Sequence, residues 1–382
     1  MSSEPSENAS GRSRADGEGG GLGAMAPTIS PELLKTLGSV PARFPTCYDA
    51  AALGTHGFRR ATPDLFTDED LERFLSGESA REFVSFLLFL NERVTGIPCA
   101  DGESLDSTAT FSDSPSTSAV VKGLVRMLHR VRSYVAEIPP LGREQAPNIR
   151  FGNPAFRTWI ERLGDGNELI EEMLRGTEGA GSVEWKALPS TAREGLVTEL
   201  ASYLVESFGN RTRIDYGTGH ETCFVAMLFC MVKVGLLTEE DARDIVLVVF
   251  KAYLETVRAV QRAYCLEPAG TRGVWGLDDY QILPFLWGSA QLIDHPSIQP
   301  SGVNSMAVVN EYADRYLYMG CIKFIRDIKN GPFHETSPML FDISGVESWQ
   351  KINGGMVKMY CAELLAKRQI VQHFLFGSII TL

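Results

Sequence analysis

Residues 211–221 read Arg-Thr-Arg-Ile-Asp-Tyr-Gly-Thr-Gly-His-Glu and separate two strongly apolar segments of the chain. The segment before them, residues 192–208, has large apolar side chains at spacings of three and four, which predicts an amphipathic helix. This helix should end at Gly209-Asn210, because glycine and asparagine commonly stop helices. The segment after them, residues 223–234, is apolar on almost every side, as in a fully buried helix. We therefore expect residues 211–221 to form a loop that leads into a buried helix.

The composition of this loop is typical of a phosphate site. Gly217 and Gly219 can adopt backbone angles forbidden to other residues, and they allow a ligand to approach the main chain closely. The free N–H groups and the dipole of the following helix attract anions, and Arg211 and Arg213 add positive charge suited to phosphate. On spacing alone, the alternative is a turn relaxed by glycine, with both arginines in ion pairs with neighbouring residues.

Two common motifs do not match this loop. Residues 217–223, Gly-Thr-Gly-His-Glu-Thr-Cys, lack the third glycine of a dinucleotide-binding motif and the lysine of a Walker loop. The pair His220-Glu221 begins like the HExxH motif of zinc proteases, but Phe224 occupies the position of the second histidine. The sequence therefore excludes a zinc-protease site at this loop.

Four blocks of the sequence, taken together, resemble one known family. The blocks are Gly152–Trp159, Ser207–Glu221, Gly273–Gln281, and Val371–Phe374 followed by Phe376–Ser378. In this order they are similar to the phosphotyrosyl phosphatase activator family, over roughly residues 60–382. The resemblance implies an all-α, multi-helix fold with core, linker and lid subdomains around a deep pocket. Thr336, where the family usually has histidine, and Gln369, where it usually has proline, depart from the family pattern.

The resemblance also implies ligands. It places contacts to ATP on two parts of the chain: Arg213, Asp215, Gly217, Thr218, Gly219, and the C-terminal Gln372, His373 and Phe374. It places contacts to Mg²⁺ near Gly273 and Asp279. The residues themselves leave alternatives open, since Asp279 precedes an apolar helix and could cap it. His373 is flanked by apolar residues and could be a hydrogen-bonded core histidine.

A glycine-rich loop at residues 266–279 supplies the candidates for contact with a protein partner. Val274 and Trp275 stand on it, and exposed aromatic side chains often dominate interfaces. The alternative is that Trp275 folds back into the core. Four aromatic side chains could line a groove for proline rings, although such residues are more often core: Tyr216, Trp275, Phe285 and Trp287. His220 and Glu221 could form an acid–base pair, but adjacent helical residues point about 100° apart, which favours separate structural contacts.

Composition restricts the class of protein. The chain has 382 residues and a formal net charge of −12, with a pI near 5.1, which argues against nucleic acid or an anionic membrane as partner. The longest apolar runs, such as residues 224–232, are about half the length needed to cross a bilayer. Seven scattered cysteines form no CxxC pair, and the first residues lack the apolar core of a secretory signal. We therefore expect reduced thiols and a cytoplasmic location, with the nucleus as a further compartment.

The chain divides into a tail and one helical domain. Residues 1–26 are rich in glycine and poor in large apolar side chains, so we expect a disordered tail followed by a helical domain at 27–382. Within that domain, the Ser/Thr/Asp-rich residues 98–118 are expected to form an exposed loop. The apolar periodicity predicts helices at 119–137, 239–264, 280–292, 303–328 and 348–367. Sustained strand-like alternation is absent from the sequence, which supports the all-α class.

The resemblance implies a specific function. It indicates an activator of the serine/threonine protein phosphatase 2A that binds ATP, Mg²⁺, the phosphatase catalytic subunit and proline-containing peptide segments. It also indicates a peptidyl-prolyl cis–trans isomerase and leaves open a peptide-dependent homodimer. Isomerisation needs no nucleophile, because its barrier of about 18–20 kcal/mol comes from amide resonance. The sequence therefore identifies no catalytic residue. The alternative is a non-catalytic, ATP-dependent chaperone or assembly factor for the phosphatase.

Overall fold

The computed structural model describes residues 29–100, 117–142, 144, 152–177, 181–270 and 273–382. The predicted tail at 1–26 and residues 101–116 of the predicted exposed loop lie outside these ranges. The side chain of Val274 also lies outside the described residues.

Helices dominate the described part of the chain, which confirms the all-α class. The α-helices are α1 Pro31–Leu37, α2 Ala50–Thr55, α3 Asp68–Ser76, α4 Glu78–Arg93, α5 Ala119–Glu137, α6 Ala155–Leu163, α7 Asn167–Leu174, α8 Ser190–Glu206, α9 Thr218–Lys233, α10 Ala242–Asp244, α11 Lys251–Tyr264, α12 Leu283–Gln291, α13 Met306–Tyr312, α14 Leu317–Ile328, α15 Phe333–Thr336, α16 Pro338–Ile343, α17 Trp349–Met359 and α18 Arg368–Val371. Short 3₁₀ turns lie at Trp185–Ala187, Glu239–Asp241, Gly273–Trp275 and Pro300–Asn304. Two segments are π-helical. Ile245–Phe250 connects α10 to α11, and Tyr360–Leu365 continues from the end of α17.

The predicted helices agree with the structure at most positions. Helix α5 has the predicted bounds, and the predicted helix at 239–264 is continuous from Glu239 to Tyr264 through its π-helical segment. The single helix predicted at 303–328 is wrong, because α13 and α14 are separate. Tyr316 between them has an extended backbone, with φ −129° and ψ 121°, and its ring lies edge-on to His295 at 5.3 Å. The contact between the Tyr316 and His295 rings stabilises the extended residue that separates α13 from α14.

Helix α9 is the centre of the core. Every residue from His220 to Lys233 is buried, as the all-round apolar sequence predicts. Helices α4, α8 and α18 pack around it. The Phe224 ring stacks on Tyr253 of α11, with centroids 3.8 Å apart and planes 3° from parallel. A helix surrounded in this way has a fixed position, and so does the loop that precedes it.

A two-stranded parallel pair, which the sequence did not predict, anchors that loop. Strand β1, Asp215–Tyr216, pairs with β2, Glu267–Pro268. The Tyr253 hydroxyl donates to the carbonyl oxygen of Ser207 at 2.6 Å and therefore accepts the hydroxyl of Tyr216 at 2.7 Å. All three groups are buried, so each bond avoids the cost of an unsatisfied polar group. The end of α8 and strand β1 are thereby tied to α11.

The C-terminus closes the other side of the core. Phe376 makes an antiparallel bridge with Thr62, and its ring packs edge-on against Phe74 at 5.1 Å. The fully buried Glu199 carboxylate accepts the backbone N–H groups of Ser378 and Ile379 at 2.8 and 3.0 Å. These contacts position the preceding helix α18 beside the start of α9. In the described ranges we find no helix that is long and apolar enough to cross a membrane.

Candidate functional site

A cavity of about 680 Å³ lies at the start of α9, and we call it the first cavity. Its volume falls within the roughly 300–1,000 Å³ typical of small-molecule sites. It is bounded by the end of α8, strand β1 and the start of α9, the chain after β2, and the C-terminal helices. The lining residues are Glu206, Arg213, Asp215, Gly217, Thr218, Gly219, His220, Pro268, Ala269, Gly270, Gly273, Gly276, Leu277, Asp278, Asp279, Gln281, Ile282, Met339, Met359, Glu363, Leu364, Lys367, Gln369, Ile370 and His373.

The parallel strand pair forms the wall of the first cavity beside the start of α9. The Ala269 N–H donates to the carbonyl oxygen of Tyr216 at 2.8 Å. A Cβ on Gly217 would lie 2.9 Å from the Cβ of Ala269, so only glycine fits this approach without a shift. Neither glycine uses a backbone angle reserved for glycine, because Gly217 is extended with φ −168° and Gly219 is helical. A Cβ on Gly219 would make an ordinary contact of 3.5 Å with Ile370.

The N-terminus of α9 opens into the first cavity. Gly217 precedes the first helical residue, and the N–H groups of His220 and Glu221 bond back to its carbonyl oxygen at 3.0 and 3.3 Å. The N–H groups of Thr218 and Gly219 come first in the helix, where N–H groups have no intrahelical acceptor and the dipole favours anions. Both residues line the first cavity and are partly exposed. This end of α9 can therefore accept a phosphate group.

Arg213 lines the first cavity, whereas Arg211 does not. Arg211 pairs with Glu161 outside it, and Arg213 pairs with Asp215 through its Nε at 2.6 Å. The alternative of arginines in ion pairs with neighbours is therefore confirmed for both. The Arg213 pair uses only Nε, and the side chain is 42% exposed. Oδ1 of Asp215 is buried without a hydrogen-bond partner in the described part of the chain.

His220 and Glu221 do not form an acid–base pair. Nδ1 of His220 donates to the carbonyl oxygen of Glu206 at 2.6 Å, and burial lowers the pKa of His220 to about 4, so the imidazole is neutral at pH 7. The Glu221 carboxylate accepts the N–H groups of Ile282 and Leu283 at 2.9 and 3.0 Å. Burial raises the pKa of Glu221 to about 8. The prediction of separate structural contacts is confirmed.

The two candidate positions for magnesium, Gly273 and Asp279, both line the first cavity. Asp279 is paired with the Lys329 amine at 2.9 Å. The alternative that Asp279 caps the following helix is wrong, because α12 begins at Leu283 with Ile282 as its N-cap, and Glu221 accepts the N–H groups of both residues. The Asp278 carboxylate accepts the N–H groups of Tyr280 and Gln281 at 3.2 and 3.0 Å in the turn before α12. Within the described ranges no three His, Cys, Asp or Glu side chains form a metal-binding group. Mg²⁺ usually keeps several waters and needs only one or two protein carboxylates beside substrate phosphates, so Asp279 fits that role.

Of the three C-terminal candidates for ATP contacts, Gln372, His373 and Phe374, only His373 lines the first cavity. His373 is exposed and lines the first cavity, so the core-histidine alternative is wrong. Phe374 is 4% exposed and packs in the core with its ring 6.1 Å from that of Phe83, so it cannot contact a ligand there. Gln372 is not among the lining residues, and its amide donates to the carbonyl oxygen of Gln369 at 3.2 Å. Gln369 and Ile370 line the cavity in place of Gln372 and Phe374.

Carboxylates give the first cavity an acidic character, and two of them, Glu206 and Glu363, were not assigned from the sequence. Five carboxylates line it against two cations, Arg213 and Lys367; the carboxylates are Glu206, Asp215, Asp278, Asp279 and Glu363. Burial raises the pKa of Glu206 to about 7, so this side chain loses part of its negative charge near neutral pH, and burial also raises the pKa of Asp278. A highly charged anion would still need an accompanying divalent cation to offset the remaining carboxylates.

The partner candidate Trp275 lies at the rim of the first cavity. Its side chain is 72% exposed, so the alternative of a core tryptophan is wrong. Gly273 and Gly276 on either side of it line the cavity. The other three aromatic candidates for a proline groove, Tyr216, Phe285 and Trp287, are fully buried and belong to the core.

Comparison with known proteins gives consistent matches. A family described as "Phosphotyrosyl phosphate activator (PTPA) protein" matches residues 61–382. The "Probable serine/threonine-protein phosphatase 2A activator 1" of Dictyostelium discoideum is 42% identical over 330 residues, covering 86% of this chain and 92% of that protein. The "Serine/threonine-protein phosphatase 2A activator 2" of Yarrowia lipolytica is 40% identical, covering 85% and 82%. The crystal structure of the PP2A phosphatase activator Ypa1 superposes with a TM-score of 0.69 at 31% identity, covering 84% and 94%.

The wall of the first cavity yields a prediction from two neighbouring glycines. Gly217→Ala forces its new methyl group against Ala269 and should destabilise the protein by about 1–3 kcal/mol, as overpacked sites do. Gly219→Ala meets only an ordinary contact and gains helix propensity, so it should be neutral or stabilising by up to about 1 kcal/mol. Urea unfolding of both variants measures the difference. Equal stability of the two variants would show that the close approach at Gly217 is not a constraint.

Proposed function

Because this chain belongs to the phosphotyrosyl phosphatase activator family, we propose that it activates the serine/threonine protein phosphatase 2A by binding its catalytic subunit. This proposal is supported by the extent of the sequence similarity, because relatives named as activators of this phosphatase align over more than four-fifths of the chain. The observation that carries the proposal is Trp275, a large apolar side chain that is 72% exposed at the rim of the first cavity. Exposed aromatic anchors of this kind commonly dominate protein interfaces.

We further propose that the first cavity binds ATP together with Mg²⁺. The N–H groups of Thr218 and Gly219 and the guanidinium of Arg213 would hold phosphate oxygens, and Asp279 would hold the cation. The acidic lining favours the magnesium complex over free nucleotide. Bound there, the nucleotide would contribute negative charge and ordering to the rim that carries Trp275, and the protein would contribute binding and orientation. Asp279 would have to exchange its contact with Lys329 for one with the cation.

A peptidyl-prolyl isomerase activity follows from the family resemblance. One observation favours the alternative of a non-catalytic chaperone, namely that Tyr216, Phe285 and Trp287 are buried in the core. These rings cannot hold a proline residue unless the core opens. The two functions differ in one requirement, since only an isomerase accelerates rotation about a proline bond in a short peptide without the phosphatase.

The exposed tryptophan gives the first test of the function. Trp275→Ala should leave the melting temperature unchanged, because the side chain is largely in solvent. It should weaken binding to the phosphatase catalytic subunit by about 2 kcal/mol or more, roughly 30-fold, if the ring is a buried anchor in the complex. Surface plasmon resonance measures the affinity, and a phosphatase assay measures activation.

Phe66→Ala is the matched control, because Phe66 is a second exposed aromatic side chain, 69% exposed, on the loop before α3. It should bind and activate like the unaltered protein. Normal binding and activation by Trp275→Ala, or an equal loss in both variants, would contradict the assigned contact.

A peptide assay separates the isomerase from the chaperone. For the isomerase, the cis-to-trans relaxation of a short proline peptide should accelerate in proportion to protein concentration, with no phosphatase present. Uncatalysed relaxation takes about 10–100 s at 25 °C, so even a several-fold change is measurable. A relaxation rate that stays at the uncatalysed value, in preparations that do activate the phosphatase, would assign the protein to the chaperone class.

A further inference from the structure

A second cavity of about 380 Å³ lies between α11 and α14, and its lining is basic in an acidic protein. Five cationic side chains line it against three carboxylates. The cations are Arg132, Lys251, Arg258, Arg262 and Lys323, and the carboxylates are Glu255, Asp314 and Asp327. We propose that this second cavity binds a phosphate monoester or an equivalent dianion, held by Lys251 and Arg258. This proposal is independent of the nucleotide proposal for the first cavity.

Lys251 is the strongest indication of a ligand. Its side chain lines the second cavity, the residue is only 8% exposed, and no carboxylate among the described residues pairs with its amine. A buried ammonium without a partner costs free energy, which is why buried charges in proteins are paired or bind an ion. An anion in the second cavity would supply the missing partner.

Arg258 faces the same cavity from the same side of α11. It follows Lys251 by seven residues, which is two helical turns and therefore almost the same face. Its Nη2 contacts the Cys321 sulfur at 2.8 Å, while its Nε is buried without a hydrogen-bond partner in the described ranges. Burial raises the pKa of the nearby Glu221 to about 8 even though Arg258 opposes it, so Glu221 is mostly protonated at neutral pH and supplies little negative charge to this site.

Several other charged side chains of the second cavity have partners, whereas Asp314 is exposed and has none among the described residues. Asp327 accepts Lys323 at 2.9 Å and lies 3.6 Å from Arg262. Arg132 and Glu255 make further interactions of their own. Five cations against three carboxylates still leave the lining positive, and Lys251 and Arg258 make no ion pair among the described residues. A point charge and a planar donor fork together suit a phosphate group.

The shape of the second cavity also favours a ligand at Arg258. The guanidinium carbons of Arg258 and Arg262 lie over the Phe324 ring at 4.7 and 4.8 Å from its centroid, which orients both side chains. Gly320 lies opposite, and a Cβ there would be 3.9 Å from Nη1 of Arg258 and 2.8 Å from the carbonyl oxygen of Ala313. Only the contact with Ala313 is too close for a side chain, so Gly320 is required by the packing of the connection between α13 and α14. A volume of 380 Å³ exceeds that of one phosphate and accommodates a phosphorylated small molecule or side chain.

The test uses the full-length protein and calorimetric titration with inorganic phosphate, O-phosphoserine and a short phosphoserine peptide. For whichever of the three probes binds, Lys251→Met should weaken its binding by roughly 10-fold or more, because the variant loses a charge-assisted contact. Lys251→Arg keeps the charge and should retain most of the affinity. Lys358→Met, at an exposed lysine outside both cavities, is the control and should bind normally.

The outcomes distinguish the source of the phosphate group. Lys251-dependent binding of inorganic phosphate or O-phosphoserine would indicate a free small anion, and Lys251-dependent binding of the peptide alone would indicate a phosphorylated protein segment. The melting temperature of Lys251→Met should stay close to that of the unaltered protein, because methionine keeps most of the apolar stem and no ion pair among the described residues is lost. Failure of all three probes to bind, or equal affinities in Lys251→Met and the unaltered protein, would overturn the proposal.

Discussion

The pairing of β1 with β2 is the constraint on which the first cavity depends. The two strands are only two residues long, yet they fix the chain that enters α9 against the chain that carries Trp275. Their approach is close enough that a Cβ on Gly217 would collide with Ala269. The hydroxyl network from Tyr216 through Tyr253 then ties β1 to the core. The proposed nucleotide site and the proposed partner contact therefore share one support, so binding in the cavity would affect the order of its rim.

The two cavities differ in the charge of their lining, and they therefore suit different ligands. The first is lined mainly by carboxylates and offers anions only a helix N-terminus, Arg213 and Lys367, so it suits a nucleotide that brings a divalent cation. The second has uncompensated cations and suits an anion by itself. Arg258 lines the second cavity and lies near Glu221, whose carboxylate caps the segment leading from the first cavity into α12. The two sites therefore share neighbouring elements while their ligand chemistry differs.

The sequence predicted the features that depend on local pattern. Helix α9 was predicted as fully buried because its apolar residues cover every face, and residues 213–219 were placed at its entrance by their composition. Features that depend on tertiary contacts were missed. Glu206, Glu363 and Lys367 reach the first cavity from distant segments without a motif of their own. Phe374 was assigned to the ligand by its block, but the turn after α18 directs it into the core, while Gln369, Ile370 and His373 line the cavity. Gln369, Ile370 and His373 are one, three and four residues apart, a spacing that places side chains on one face of a helical turn. This spacing could have been recognised in the sequence.

Hydrogen–deuterium exchange with and without Mg·ATP tests the central claim, that the first cavity is the nucleotide site, most directly. Binding at the start of α9 should slow amide exchange in residues 213–221, 267–270 and 369–373, and should leave residues 251–262 beside the second cavity unchanged. ATP without magnesium should protect the same segments less, because the acidic lining then repels the phosphates. Protection confined to other segments, or none at nucleotide concentrations that saturate binding, would contradict the assignment of this cavity.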